Sequence, residues 1–196
     1  MRPTSSSAAG RARLPFHCAA AEGRARRCCC TATRSRPVAD IVAGKDRFLA
    51  DAGDRGLDVE LIARPAARSL VEAAQLLGIA PADIVKSLVV KHKDGTFLFA
   101  LIPGDRQISW PKLRALIGVN KLSMPAADVA FEATGYQRGT ITPLGSTTAW
   151  PVYADAAITG RRISMGAGEH GYSAFVDSDA LIKALDATVA DISDPE

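Results

Sequence analysis

The sequence predicts a mixed α+β domain, and three observations carry that expectation. "IVKSLVVK" and "TFLFALI" are apolar runs of strand length joined by Lys93-Asp94-Gly95, a good hairpin turn. "SLVEAAQLLG" has helical spacing, opens on Ser69 with Glu72 three residues later, and ends at Gly78, a suitable C-cap. Late in the chain three more strand-like runs are followed by a closing helix. Hairpin-connected strands with interspersed helices fit one α+β unit over residues 37–190.

The elements follow in order from Pro37. Ile41, Val42, Phe48 and Leu49 share one helical face, ending near Gly53. "LDVELIA" alternates as a strand does, with Leu57, Val59 and Leu61 on one side. The capped helix and the hairpin come next. Ser109 can cap a helix through "WPKLRALIG", with Pro111 in its first turn. "PAADVAFEATG" predicts a short helix, and "GYQRGTITPLG" is a loop dense in turn-formers. Strands are expected near residues 152–154, 162–165 and 173–176, before the helix "SDALIKALDA". There is no internal repeat and no interdomain linker, and residues 191–196 read as a C-terminal tail.

The 196 residues suit one domain of ordinary size plus extra length. No apolar run approaches the ~18–20 residues of a membrane span, so no membrane partner is expected. The net charge of +3 hides an asymmetry. Residues 1–36 hold eight Arg against a single acid, Glu22, whereas the remainder has 16 basic and 20 acidic residues. The body is therefore net negative, and any nucleic acid it binds must meet a local patch. Residues 1–36 are rich in Arg, Ala and Ser and read as a disordered extension; a transit peptide and a misassigned start share that composition. All four cysteines (Cys18, Cys28, Cys29, Cys30) lie there, and their spacing makes no metal knuckle. A body without cysteine fits a reducing compartment, and a cytoplasmic location is expected.

Standard catalytic machinery is absent from the sequence. There is no GxSxG elbow, HExxH, Walker loop or well-placed GxGxxG. Neither a metal nor another cofactor is expected. Hydrolysis would use a positioned water rather than a covalent nucleophile. Lys86 interrupts the apolar run of "DIVKSLVVK" and shares a strand face with Leu88 and Val90, while Val85, Ser87 and Val89 face the other way. A buried unpaired ammonium is costly, so Lys86 must snorkel, pair with an acid or line a polar cleft. In "GYQRGTITPLG", Gly135, Gly139 and Gly145 permit backbone shapes that could present N–H groups to an anionic oxygen, or make an ordinary tight connection. "SMGAGEHGYS" is a second glycine-rich loop, with His170 as a weak candidate. Lys91, His92, Lys93, Arg106, Lys112, Arg114, Lys121, Arg138, Arg161 and Arg162 could meet phosphates or be scattered surface charge.

Taken together, "SLVEAAQLLGIAPADIVKSLVVK", the hairpin, "GYQRGTITPLG" and "ISMGAGEHG" resemble the YbaK-type aminoacyl-tRNA deacylases, relatives of the editing insertion domain of bacterial prolyl-tRNA synthetase. The resemblance covers about residues 40–188. It implies a compact α+β domain whose mixed, mostly antiparallel, partly closed sheet is surrounded by helices. The implied activity is hydrolysis of the ester of a mischarged aminoacyl-tRNA, with a synthetase as a further partner. The family's lysine falls on Lys86, and its G-x-x-x-P loop on Gly139 to Pro143. Lys86 and Gly139 are thus the expected catalytic positions. Thr140, Thr142, Pro143, Gly168, His170 and Ser173 are expected to contact substrate. Some members carry an aspartate where Ser173 stands, and others differ at "RPAARS", so the identity of the amino acid stays open. A non-catalytic tRNA- or synthetase-binding module with the same pocket is the alternative.

Overall fold

The computed structural model describes residues 43–196. The expected extension 1–36, and the helical positions Ile41 and Val42, lie outside the described residues. Helix α1 (Gly44–Asp54) buries Phe48 and Ala52 and is followed by strand β1 (Val59–Ala63). In α2 (Leu70–Leu77) the Ser69 hydroxyl accepts the Glu72 N–H. The Glu72 carboxylate reaches one residue beyond the usual capping box and accepts the Arg68 N–H. Gly78 closes the helix in the left-handed conformation.

Strands β2 (Val85–His92) and β3 (Phe97–Pro103) form the expected antiparallel hairpin. Strand β4 (Arg106–Ile108), helix α3 (Trp110–Ile117), strand β5 (Leu122–Ser123) and helix α4 (Ala127–Thr134) follow. Ser109 stands at the N-cap of α3 but makes no side-chain capping bond. Its own N–H donates to Ile192 O instead. Strands β6 (Val152–Asp155), β7 (Arg162–Gly166) and β8 (Tyr172–Asp177), helix α5 (Ser178–Ala184), and strands β9 (Thr188–Ala190) and β10 (Ser193–Pro195) complete the chain.

The strands make a five-stranded sheet, β5-β2-β3-β6-β9, a three-stranded sheet, β1-β8-β7, and the pair β10-β4. A single bridge between Ile84 and Ser164 ties the two larger sheets edge to edge without closing a barrel. The β3–β6 and β6–β9 pairs are parallel, unlike the hairpins legible in the sequence. The crossover between β3 and β6 carries α3, α4 and the Gly135–Gly145 loop, as parallel pairing needs a long connection.

The five-stranded sheet is apolar on both faces, and this places the site. Val85, Val89, Phe99 and Leu101 pack with Phe48 of α1 and Leu181 of α5. Val90, Leu98, Ala100 and Ile102 pack with Leu113 of α3 and with Ile192. Residues 191–196, which sequence reading leaves as a tail, contribute a fully buried Ile192 and the strand β10. The anchor is Asp155, 2% exposed, whose carboxylate accepts the Ile192 N–H at 3.0 Å and the Ser193 hydroxyl at 2.7 Å. That partner lies on β6, so the short run around Ile192 carries no local signal of its attachment.

Candidate functional site

Strand β2 leaves the Ile84–Ser164 bridge and runs along a cavity of about 670 Å³. Leu70, Ala73 and Leu77 of α2 give it an apolar wall. Gly139 and Ile141 come from the loop before Pro143, Met165 and Gly166 from β7, and Ser173 from β8. Period two along β2 sends Ser87 and Lys86 to opposite faces of the sheet, and both border the cavity. The Ser87 hydroxyl has no hydrogen-bond partner among the described residues.

Lys86 neither snorkels freely nor stands alone. Its ammonium donates to the Arg106 carbonyl at 2.7 Å and pairs with the Glu196 carboxylate. It is thus held beside the β4–β10 pair, on the face of the sheet away from Ser87. The sequence offered pairing, snorkelling and cleft-lining as alternatives; the fold combines pairing with a place at the cavity edge.

Gly135 to Gly145 form a stapled loop. A turn brings the Thr140 N–H onto Gln137 O, and the Thr140 hydroxyl donates to the same carbonyl. Gly139 sits at φ +90°, where a side chain costs roughly 1–2 kcal/mol, and is exposed on the cavity wall. The staples come from α1. The Arg47 guanidinium donates to Gly135 O at 2.7 Å and lies 4.4 Å over the Tyr136 ring. Asp51 accepts the Gly145 N–H at 2.8 Å. Tyr136, 1% exposed, donates its hydroxyl to Leu144 O at 2.8 Å, spanning the loop. The same helix holds the second glycine-rich loop: Lys45 lies 4.6 Å over the Tyr172 ring and 3.8 Å from Glu169. These neighbours, Glu169 first, raise the Lys45 pKa above the usual lysine range. The two loops touch directly where the Gly168 N–H donates to Thr140 O.

Burial pushes the Tyr136 hydroxyl up to about 12. The folded state therefore keeps this proton to higher pH than the unfolded chain. Its contribution is full below about pH 10 and declines between pH 10 and 12, by a total on the order of 2–3 kcal/mol. Tyr136→Phe is expected to lower stability at neutral pH by about 1–3 kcal/mol, since Leu144 O loses its donor, and to flatten that alkaline decline. Urea titrations of both proteins from pH 7 to 11 check this; parallel pH curves would contradict it.

Of the eight residues singled out from the sequence, Lys86, Gly139 and Ser173 border the cavity. Thr140, Thr142 and Pro143 are buried beneath the loop and shape it. The Thr142 hydroxyl accepts the Leu144 N–H, for example. Gly168 is packed against Gly44 and Tyr136. His170 is exposed beside Gly139 but does not line the cavity. Sequence reasoning passed over Ser87 as a site residue, and marked Arg64 and Arg68 only as part of "RPAARS", without a role for either. Arg64 donates to the Ser173 hydroxyl at 2.8 Å. A signal existed in "RPAARS", but only the β1–β8 pairing turns it toward Ser173. Several of the cations that could meet phosphates have structural partners instead: Arg106 and Lys112 hold the last strand, Arg161 pairs with Asp83, and Arg162 with Glu60. Among the described residues no three His, Cys, Asp or Glu cluster as metal ligands would.

An α+β body whose two glycine-rich loops and central strand enclose one cavity defines a class, and sequence comparison names it. The aminoacyl-tRNA editing domain matches residues 64–184, and the chain belongs to that family. Among particular relatives, it is 36% identical over 110 residues to the proline–tRNA ligase of Thermosipho africanus, covering 53% of this chain and 19% of that one. It is 28% identical over 152 residues to the proline–tRNA ligase of Trichlorobacter lovleyi, covering 78% of this chain and 26% of the ligase. The chain thus spans about a fifth to a quarter of such ligases. Among solved structures it is similar to one described as a candidate trans-editing enzyme for prolyl tRNA synthetase. That match has TM-score 0.72 and 27% identity and covers 77% of this chain and 97% of that one. A hypothetical protein matches with TM-score 0.71 and 27% identity, covering 76% and 99%.

Proposed function

We propose that this domain hydrolyses the ester of mischarged aminoacyl-tRNA in trans, releasing free amino acid and tRNA. The observation that carries the reading is the cavity itself. It joins an apolar wall on α2 to a polar wall made of the Gly139 backbone, Ser87 and Ser173. That suits an aminoacyl group, with its side chain against α2 and its ester toward the loop. A small apolar difference between amino acids gives only about 1–3 kcal/mol of discrimination, so a separate editing pocket is a sensible remedy.

Among the described residues no His, Cys, Asp or Glu lines the cavity, so none of its serines has such a base beside it there. The attacking group in this reading is water. Its oxygen adds to the ester carbonyl carbon, and the bond from that carbon to the ribose oxygen breaks. The ribose oxygen takes up a proton, and the carboxylic acid leaves as the free amino acid. The neighbouring ribose hydroxyl assists the water. Gly139, free of a side chain, lets the loop backbone approach the ester. Lys86 steadies the nucleotide end by exchanging its Glu196 contact for a substrate oxygen.

The test is release of amino acid from a panel of mischarged tRNAs. We expect at least one to be hydrolysed, and Lys86→Ala to lower that rate by roughly 10²-fold, the loss typical of a positioned charge. Equal rates for the two proteins would remove Lys86 from the mechanism. Binding with no release from any member would turn the reading to a non-catalytic module.

A further inference from the structure

Among the described residues the cavity is bordered by four cations, Arg64, Arg68, Lys86 and Arg138, and by no carboxylate. In a body with 16 basic and 20 acidic residues this is a local reversal of sign. Two of the four are committed: Lys86 to Glu196 and Arg106 O, Arg64 to Ser173 and Pro65 O. Arg68 and Arg138 are exposed, and their guanidinium groups have no hydrogen bond or ion pair among the described residues. Glu72 accepts the Arg68 backbone N–H and does not border the cavity. Arg68 stands at the entry to α2, and Arg138 adjoins Gly139 in the loop, so the pair comes from two separate walls.

We propose that Arg68 and Arg138 form the anion site of this cavity and grip the backbone phosphates that lead into the esterified nucleotide. The proposal rests on the deacylase reading for the identity of the RNA. A guanidinium fork matches phosphate oxygens in pairs, and an arginine with no protein partner gives up no ion pair when it binds one. An aminoacyl group in the cavity leaves the phosphate one nucleotide away, at the mouth where these side chains stand. Arg64 keeps its bond to Ser173 and so belongs to the amino-acid end.

The test uses a short single-stranded RNA ending in CCA, with binding measured against KCl concentration. Each phosphate contact on a single strand contributes about 0.7 to the slope of log affinity against log salt. Arg68→Ala and Arg138→Ala are each expected to lower the slope by about that amount, and Arg138→Lys to keep the slope while weakening affinity. A double alanine variant with the wild-type slope overturns the proposal. A second measurement compares KM for mischarged tRNA with KM for an aminoacyl ester of adenosine, which has no phosphate. The tRNA penalty should exceed the nucleoside penalty by roughly fivefold or more, the loss from two phosphate contacts. Equal penalties on the two substrates mean the arginines only shape the pocket, and also overturn it. A falling slope with neither ester hydrolysed by the wild type would retain the anion site and reject the deacylase reading.

Discussion

Asp155→Ala is expected to remove about 3–5 kcal/mol of stability and to release the last strand. The Asp155 carboxylate is 2% exposed and accepts three bonds, from Ala157 N–H at 2.9 Å, Ile192 N–H at 3.0 Å and the Ser193 hydroxyl at 2.7 Å. Hydrogen bonds to a charged acceptor contribute about 1.5–3 kcal/mol each, and they are not additive within one group. Their loss leaves buried donors unsatisfied, with Ile192 and Ser193 both fully buried. The consequence reaches the site, since β10 carries Glu196 toward Lys86 and pairs with β4, whose Arg106 carbonyl is the other Lys86 partner. Asp155→Asn keeps a carbonyl acceptor but points an amide donor at another donor, so it should fall between wild type and alanine. Urea denaturation gives the stability change, and hydrogen exchange at Ile192 and Ser193 reports the release. A loss under about 1 kcal/mol, with those amides still protected, would show that Asp155 is not the anchor.

Gly168→Ala is expected to cost about 2–5 kcal/mol and to lower the proposed deacylation as well. Gly168 has φ +80°, and a methyl group there would lie 2.6 Å from Gly44 O and 2.6 Å from the Tyr136 ring. The left-handed backbone accounts for roughly 1–2 kcal/mol. Overpacking against a backbone oxygen accounts for about 1–3 kcal/mol more. The reciprocal contact is tighter, since a methyl on Gly44 would lie 2.0 Å from Gly168 O. The first turn of α1 and the late glycine loop therefore meet backbone to backbone. Because the Gly168 N–H holds Thr140 O, any shift passes to the loop that carries Gly139. Thermal denaturation and the deacylation rate, measured on one preparation, check the coupling. A stability loss with the rate per folded molecule unchanged would separate the two loops.

Both predictions turn on groups that sequence patterning undervalues. Asp155 reads as the end of a strand, and Gly168 is marked by resemblance as a substrate contact rather than as a packing position. Their weight comes from partners at Ile192, Ser193, Gly44 and Tyr136, which no local periodicity can reveal. The same holds for Arg47 and Asp51. Each looks like a solvent-facing charge on α1, yet they clamp Gly135 and Gly145. The hairpin, the capped α2 and the late strands were legible because hydrophobic period, turn residues and caps are local signals. The parallel β3–β6 pair was not, since only the packed sheet chooses it.

What the sequence alone determined was the α+β class and the run of helices and strands, which local spacing and turn chemistry carry. Joining Lys86 to the Gly139–Pro143 loop as one candidate site came from the family resemblance. Tertiary structure decided which cations stand free. Lys86 is satisfied by Glu196 across 110 positions, Arg64 by Ser173 across 109, while Arg68 and Arg138 remain open at the mouth. An apolar strand says only that a lysine needs a partner. Which group supplies that partner depends on contacts between distant segments, and those exist only once the chain has folded.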